Sequence, residues 1–237
     1  MTESRTSFHQ QLDDIRRDLI RLAARVIDTI NRGTDALLDL DLAAAQDLID
    51  GDDEIDVFTL DIEERCFNVL ARQQPMAGDM RAVVTAIRLT SEIERSGDLM
   101  VNVAKASRRL YGTEVPPRLR NLLRSMADEA VRLYGLAMDA YADGDAGLAA
   151  ALDDMDDRLD ELHQEYIQAI LELHADARDV RAAVQLALIG RYYERIGDHA
   201  VNIGERVRYM VTGWMPEHTG AARFAARGVT PGNGADS

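Results

Sequence analysis

Eight carboxylates carry the chemistry open to this chain. Glu94 and Asp98 stand four residues apart, as do Glu194 and Asp198, Asp52 and Asp56, and Asp156 and Asp160. On a helix, residues four apart share one face with Cβ atoms about 5–6 Å apart, so each pair forms a two-carboxylate edge. Hard oxygen donors of this kind suit divalent or trivalent cations; Mg, Mn, Fe and Zn are not distinguished by the pattern. Such pairs can also bridge two ions. Spacing alone says little, however. With 42 acids in 237 residues, about seven acid-x-x-x-acid pairs arise by chance, and an acidic helix face is usually just solvated.

Repetition sets these pairs apart. Residues 94–102 read E-R-S-G-D-L-M-V-N and residues 194–202 read E-R-I-G-D-H-A-V-N. Aligning 79–102 with 179–202 gives ten identities in twenty-four positions. Recurrence at a long fixed interval marks two copies of one structural unit. Upstream, D-D-E-I-D at 52–56 parallels D-D-R-L-D at 156–160, now at a step of 104. The difference, about one helical turn, falls where the first copy has Gln73-Gln-Pro-Met and the second only His174-Ala. Each half thus holds two acid pairs on consecutive antiparallel helices, able to face one another across a groove. Asn102 and Asn202 lie one turn further on, where they can ligate or position water. Gly97 and Gly197 leave room for a close approach. Arg95 and Arg195 offer the opposing reading, an ordinary ion-pair network.

The elements that must position these groups are helical. Leu12, Ile15, Leu19, Leu22, Val26 and Ile30 step by three or four, an apolar stripe along one helix. A second helical stretch runs from about Leu42 to Ala71, with a break foreseen near Gly51. Pro75 marks a turn and suits a first helical position, and a third helix reaches about Leu110. Tyr111-Gly-Thr-Glu-Val-Pro-Pro117 is a linker, because Gly112 can end a helix and the prolines cannot continue one. Leu119, Leu122, Met126, Ala130 and Leu133 restart the stripe. Asp143-Gly-Asp interrupts it, and stretches at about 146–173 and 176–212 follow. The expected fold class is all-α, two tandem antiparallel three-helix bundles covering residues 1–111 and 116–212. From Gly213 to Ser237 periodicity is lost and disorder is expected, with Trp214 as the one anchor.

Composition bounds the function. A net charge of −15 argues against nucleic acid, whose binding rests on cationic side chains; Lys105 is the only lysine among 27 basic residues. The one cysteine, Cys66, reads as a buried apolar residue. No signal peptide and no run of about eighteen apolar residues is present, so a cytoplasmic protein with no direct membrane insertion is expected. No Ser/His/Asp grammar or phosphate-cradling loop points to an enzyme. The five histidines lack ligand spacing apart from Asp160-x-x-His163, and His199 directly follows Asp198. A carboxylate-bridged di-metal oxidase would call for paired Glu-x-x-His motifs, which are absent. A metal-free structural or dimerising bundle is the remaining alternative.

The phrases E-R-S-G-D-x-x-V-N-V-A and E-R-I-G-D-H-A-V-N-I-G, with R-Q-Q-P-M-A-G-D-M-R at 72–81, resemble those of the PhoU family over about residues 5–212. The resemblance implies that Glu94 with Asp98 and Glu194 with Asp198 fall on the family's E(D)-x-x-x-D metal motifs. Their partners would be Asp52 with Asp56 and Asp156 with Asp160, with Asp53 and Asp157 competing by one residue. It implies multinuclear metal clusters, six helices and a homodimer. It further implies a cytosolic negative regulator of phosphate uptake and of the phosphate-starvation response. As an adaptor, it would contact the phosphate ABC transporter's ATPase subunit and a sensor histidine kinase.

Overall fold

The computed structural model describes residues 2–73, 75–173 and 180–214, with side chains from residue 8 onward. Within them every regular element is an α-helix: α1 (Thr2–Asp39), α2 (Leu42–Asp50), α3 (Asp52–Gln73), α4 (Gly78–Arg109), α5 (Pro117–Asp143), α6 (Ala146–Leu173) and α7 (Val180–Thr212). The six-helix plan holds, with its second member broken into α2 and α3 at Gly51. The equivalent position in the second half is Met155, inside the unbroken α6.

Turn chemistry explains the boundaries. Asp41 accepts bonds from the backbone N–H of Ala43 and Ala44, both at 3.0 Å, and so caps α2. Asp145 does the same for α6 through Gly147 and Leu148. A side-chain acceptor there satisfies amides that the first helical turn leaves free. Gly144 turns left-handed at φ 65° to end α5, and Gly213 at φ 74° to end α7. Pro117 opens α5 as its first residue. Pro75 does not open α4. That helix starts three residues later, because the chain reverses through Ala77 at φ 47° and Arg81 N–H then bonds the Ala77 carbonyl at 3.1 Å. The turn expected at His174-Ala, and the tail beyond Trp214, lie outside the described residues.

The helices pack as α1, α3 and α4 in one group and α5, α6 and α7 in the other, with α2 laid on α1 and α4. One hydrophobic core runs through both groups. Leu19, Val26 and Ile30 of α1, Ile93 of α4, Leu133 of α5 and Ile196 of α7 all belong to it. The seam between the halves is chiefly α4 against α7, with α1 against α5. Arg81 Nε donates to the Met210 carbonyl at 3.1 Å and Thr85 Oγ1 to that of Arg206 at 3.4 Å, fixing an antiparallel register. Buried tyrosines add cross-links: Tyr134 donates to Ser96 Oγ at 3.0 Å, and the hydroxyls of Tyr193 and Thr34 are 2.7 Å apart. Among the described residues no helix is long and apolar enough to cross a membrane.

Candidate metal centres

The first acidic groove lies where the start of α3 meets the middle of α4. Asp52 is half-buried at the first position of α3, while Asp56 and Asp98 are exposed along the rim. Burial, then the charges of Asp56 and Asp98, push the Asp52 carboxyl up to about 6, against the pull of Lys105. Glu94 is raised by burial and by Asp98, Asp56 and Asp52, with Arg95 opposing. Asp98 is raised by burial and Asp56, with Lys105 opposing. Asp52, Glu94 and Asp98 are thus each raised by burial and by neighbouring carboxylates of the set, the condition under which a cation is favoured. The chain's single lysine stands at this rim.

The second groove, between α6 and α7, is built differently. Asp156 is pushed up to about 7, by burial first and then by Asp160, Asp198, Asp153 and Asp157. Asp53 and Asp157, the competing register, are exposed. Each still adds to the charge felt by its neighbour, Asp53 on Asp52 and Asp157 on Asp156. Gly197 makes room for Asp156: a Cβ there would stand 2.5 Å from Asp156 Oδ1 and from Leu159 Cδ2. At Gly97 the nearest atom would be Ile55 Cδ1 at 3.6 Å, an ordinary contact, so the close approach belongs to the second copy alone. Glu194, only 8% exposed, gives one oxygen to Arg191. Position 91 in the first copy is Ser91, which carries no such charge. Arg95 and Arg195 form no ion pair with these acids among the described residues.

Two observations bear on whether a cation fits. Asp156 Oδ1 and Glu194 Oε2 are buried without a hydrogen-bond partner, and a desolvated carboxylate oxygen calls for a donor or a cation. Against this, among the described residues no group of three or more His, Cys, Asp or Glu side chains already converges as an ion-holding set. Both grooves have the right atoms and the second has unmet demand, but the side chains are not drawn onto a point.

A further polar cluster escaped the sequence reading. Glu92 Oε2 lies 2.6 Å from His199 Nδ1 and accepts from Asn202 Nδ2 at 3.1 Å, joining α4 to α7 inside the seam. Burial works against the Glu92 charge, but the bonds from His199 and Asn202 hold its carboxyl below the usual range. Asn202 is therefore engaged across the seam. The signal was available: the repeat aligns His199 with Leu99, a core position.

Comparison with known proteins places the chain. The family model described as "PhoU domain" matches residues 19–107 and again 123–207. The chain belongs to the PhoU family. A Mycobacterium tuberculosis relative, "Phosphate-specific transport system accessory protein PhoU homolog 1", is 36% identical over 213 residues, covering 90% of this chain and 96% of that protein. The crystal structure of PhoU from Pseudomonas aeruginosa superposes with a TM-score of 0.82 at 31% identity, covering 87% of this chain and all of that one. The phosphate transport system regulatory protein PhoU from Streptococcus pneumoniae gives the same TM-score at 25% identity, covering 88% and 98%. Both PhoU repeats coincide with the two helix groups, and each carries one acidic groove.

Proposed function

We propose that this chain is a regulatory accessory protein of phosphate-specific transport, not an enzyme. It restrains phosphate uptake and the phosphate-starvation two-component response by bridging the transporter's ATPase subunit and a sensor histidine kinase. The observation that supports the accessory role is likeness over 90% of the chain to a protein named as a phosphate-specific transport system accessory protein, with both E-R-x-G-D-x-x-V-N phrases in register. Asp52, Asp56, Glu94 and Asp98 in one groove, and Asp156, Asp160, Glu194 and Asp198 in the other, would hold cations. A bound cation would supply charge neutralisation, offsetting the burial and then the repulsion that raise Asp52, Glu94, Asp98 and Asp156. The chain's own residues set the rest: Gly197 admits Asp156, Arg191 holds Glu194, and α4 against α7 fixes the two grooves relative to each other.

A metal-free bundle is the second reading, favoured by the Arg191–Glu194 pair, which neutralises one ligand without any ion. Deleting the gene tests the regulatory reading. Phosphate-starvation genes should be derepressed in phosphate-replete medium, and the wild-type chain should restore repression. Unchanged expression and unchanged phosphate uptake in the deletion would refute it.

A further inference from the structure

A cavity of about 270 Å³ lies between the two repeats, beside the point where the chain leaves α7. Leu12 and Ile15 of α1, Val83 of α4, Tyr141 of α5 and Met210 of α7 wall it. Pockets for drug-sized ligands run from about 300 to 1,000 Å³, so this one has the size for a single side chain. Asp13 and Asp143 stand exposed at its rim, with Arg16 as the opposing charge. Among the described residues neither acid has an ion pair. Trp214 comes four residues after Met210. A Cβ on Gly144, also at the rim, would stand 3.8 Å from Val211 Cγ2. Residues 215–237 therefore begin about one helical turn from the opening. They lie beyond the second PhoU repeat, which the family model ends at residue 207. Their one Phe, Tyr or Trp is Phe224, in A-A-R-F-A-A-R at 221–227, where Arg223 and Arg227 are the only charges between Glu217 and Asp236.

We propose that this segment docks on the molecule that carries it, with Phe224 filling the cavity and Arg223 and Arg227 pairing with Asp13 and Asp143. Phe224 is ten residues past Trp214, a reach of up to about 33–36 Å. The larger cavity beside Val180 and Val184 is excluded by distance, since it lies more than about 40 Å back along α7. The large cavity along Arg21, Arg25 and Arg32 is excluded by charge, because each arginine there already has an acid: Asp18, Glu54 and Asp28. Burial of the ring, about 150–250 Å², supplies the affinity. Exposed ion pairs add little; here they fix which way the segment lies. The walls come from both repeats, so the docked ring closes the end of the seam where α4 meets α7.

Methyl NMR spectra of the full chain test this, because an aromatic ring in the cavity displaces the resonances of Leu12, Val83 and Met210. Phe224→Ala should move all three, with a loss of at least about tenfold in the docking equilibrium, while methyl groups elsewhere in the core stay in place and show that the variant folds. Arg223→Glu with Arg227→Glu should move the same resonances in the same direction. Adding Asp13→Arg and Asp143→Arg to that double variant should return them toward the wild-type positions. Identical Leu12, Val83 and Met210 resonances in wild type and Phe224→Ala overturn the proposal. So do charge reversals that leave them unmoved, or that the swapped acids fail to rescue. A displacement that grows with protein concentration gives the cavity to the tail of a second copy, and also overturns docking within one chain.

Discussion

Asp52 and Asp156 occupy equivalent places in the repeat, and burial beside like charges raises both, to about 6 and about 7 from an ordinary 3.8. A carboxyl whose folded-state value lies above its unfolded one binds protons more tightly when folded. Stability from such a group therefore falls as pH rises from about 4 to about 7, and the penalty is complete above that window. His163 tilts the other way. Burial and Arg191 lower its value, so its contribution grows as pH rises toward about 6.5. The clean measurement is thus a difference between two proteins. In metal-free buffer, Asp156→Asn should stabilise the chain relative to wild type at pH 8 and lose most of that advantage at pH 5, as read by urea unfolding at each pH. An advantage that does not change between the two pH values would show that Asp156 is not strained by its neighbours. Glu92 shifts in the opposite direction, because the bonds from His199 and Asn202 outweigh burial and hold it below the usual range.

Helix boundaries show what the sequence could and could not reveal. The α5 end at Asp143-Gly-Asp and the α5 start at Pro117 were legible, because Gly, Asp and Pro act through their own backbone and side-chain chemistry. The α4 start was not, because Ala77 takes a positive φ and alanine carries no local sign of doing so. The eight carboxylates were legible only because the chain repeats. Their inequality was not, since it depends on how near α6 lies to α7. Gly204 measures that proximity: a Cβ there would stand 2.8 Å from the Ala149 backbone carbonyl and 2.6 Å from Leu152 Cδ1. The first copy has Ala104 at this position. A backbone atom cannot rotate away, so Gly204→Ala should destabilise by roughly 1–3 kcal/mol, as overpacking does. Gly97→Ala meets only ordinary contacts, and the better helix propensity of alanine should leave it neutral or up to about 1 kcal/mol more stable. Denaturant midpoints of the two variants check the contrast. Equal effects would mean that α6 and α7 are not in such close contact.

At the scale of the whole molecule, the halves are two copies in sequence but share one core. Tyr193 of the second half bonds Thr34 of the first, Tyr134 bonds Ser96, and Glu92 holds His199 and Asn202 across the seam. Opening either half alone would expose the apolar faces of α4 and α7 and give up these cross-seam hydrogen bonds, each worth roughly 0.5–1.5 kcal/mol. Unfolding should therefore be a single cooperative event. The chain carries one probe in each half. Cys66 in α3 is fully buried, and burial pushes its thiol up to about 12, so it is inert while the first half is folded. Trp214, just beyond α7, stacks on Arg208 at 3.9 Å, and the adjacent Gly213 lies against the Arg81 side chain. Its fluorescence follows the docking of α7 onto α4. Along a urea series, the midpoint for exposure of Cys66 to a thiol reagent should coincide with the midpoint of the Trp214 signal. If the two separate, the repeats unfold as independent domains, and the α4–α7 seam is a docking surface rather than part of a common core.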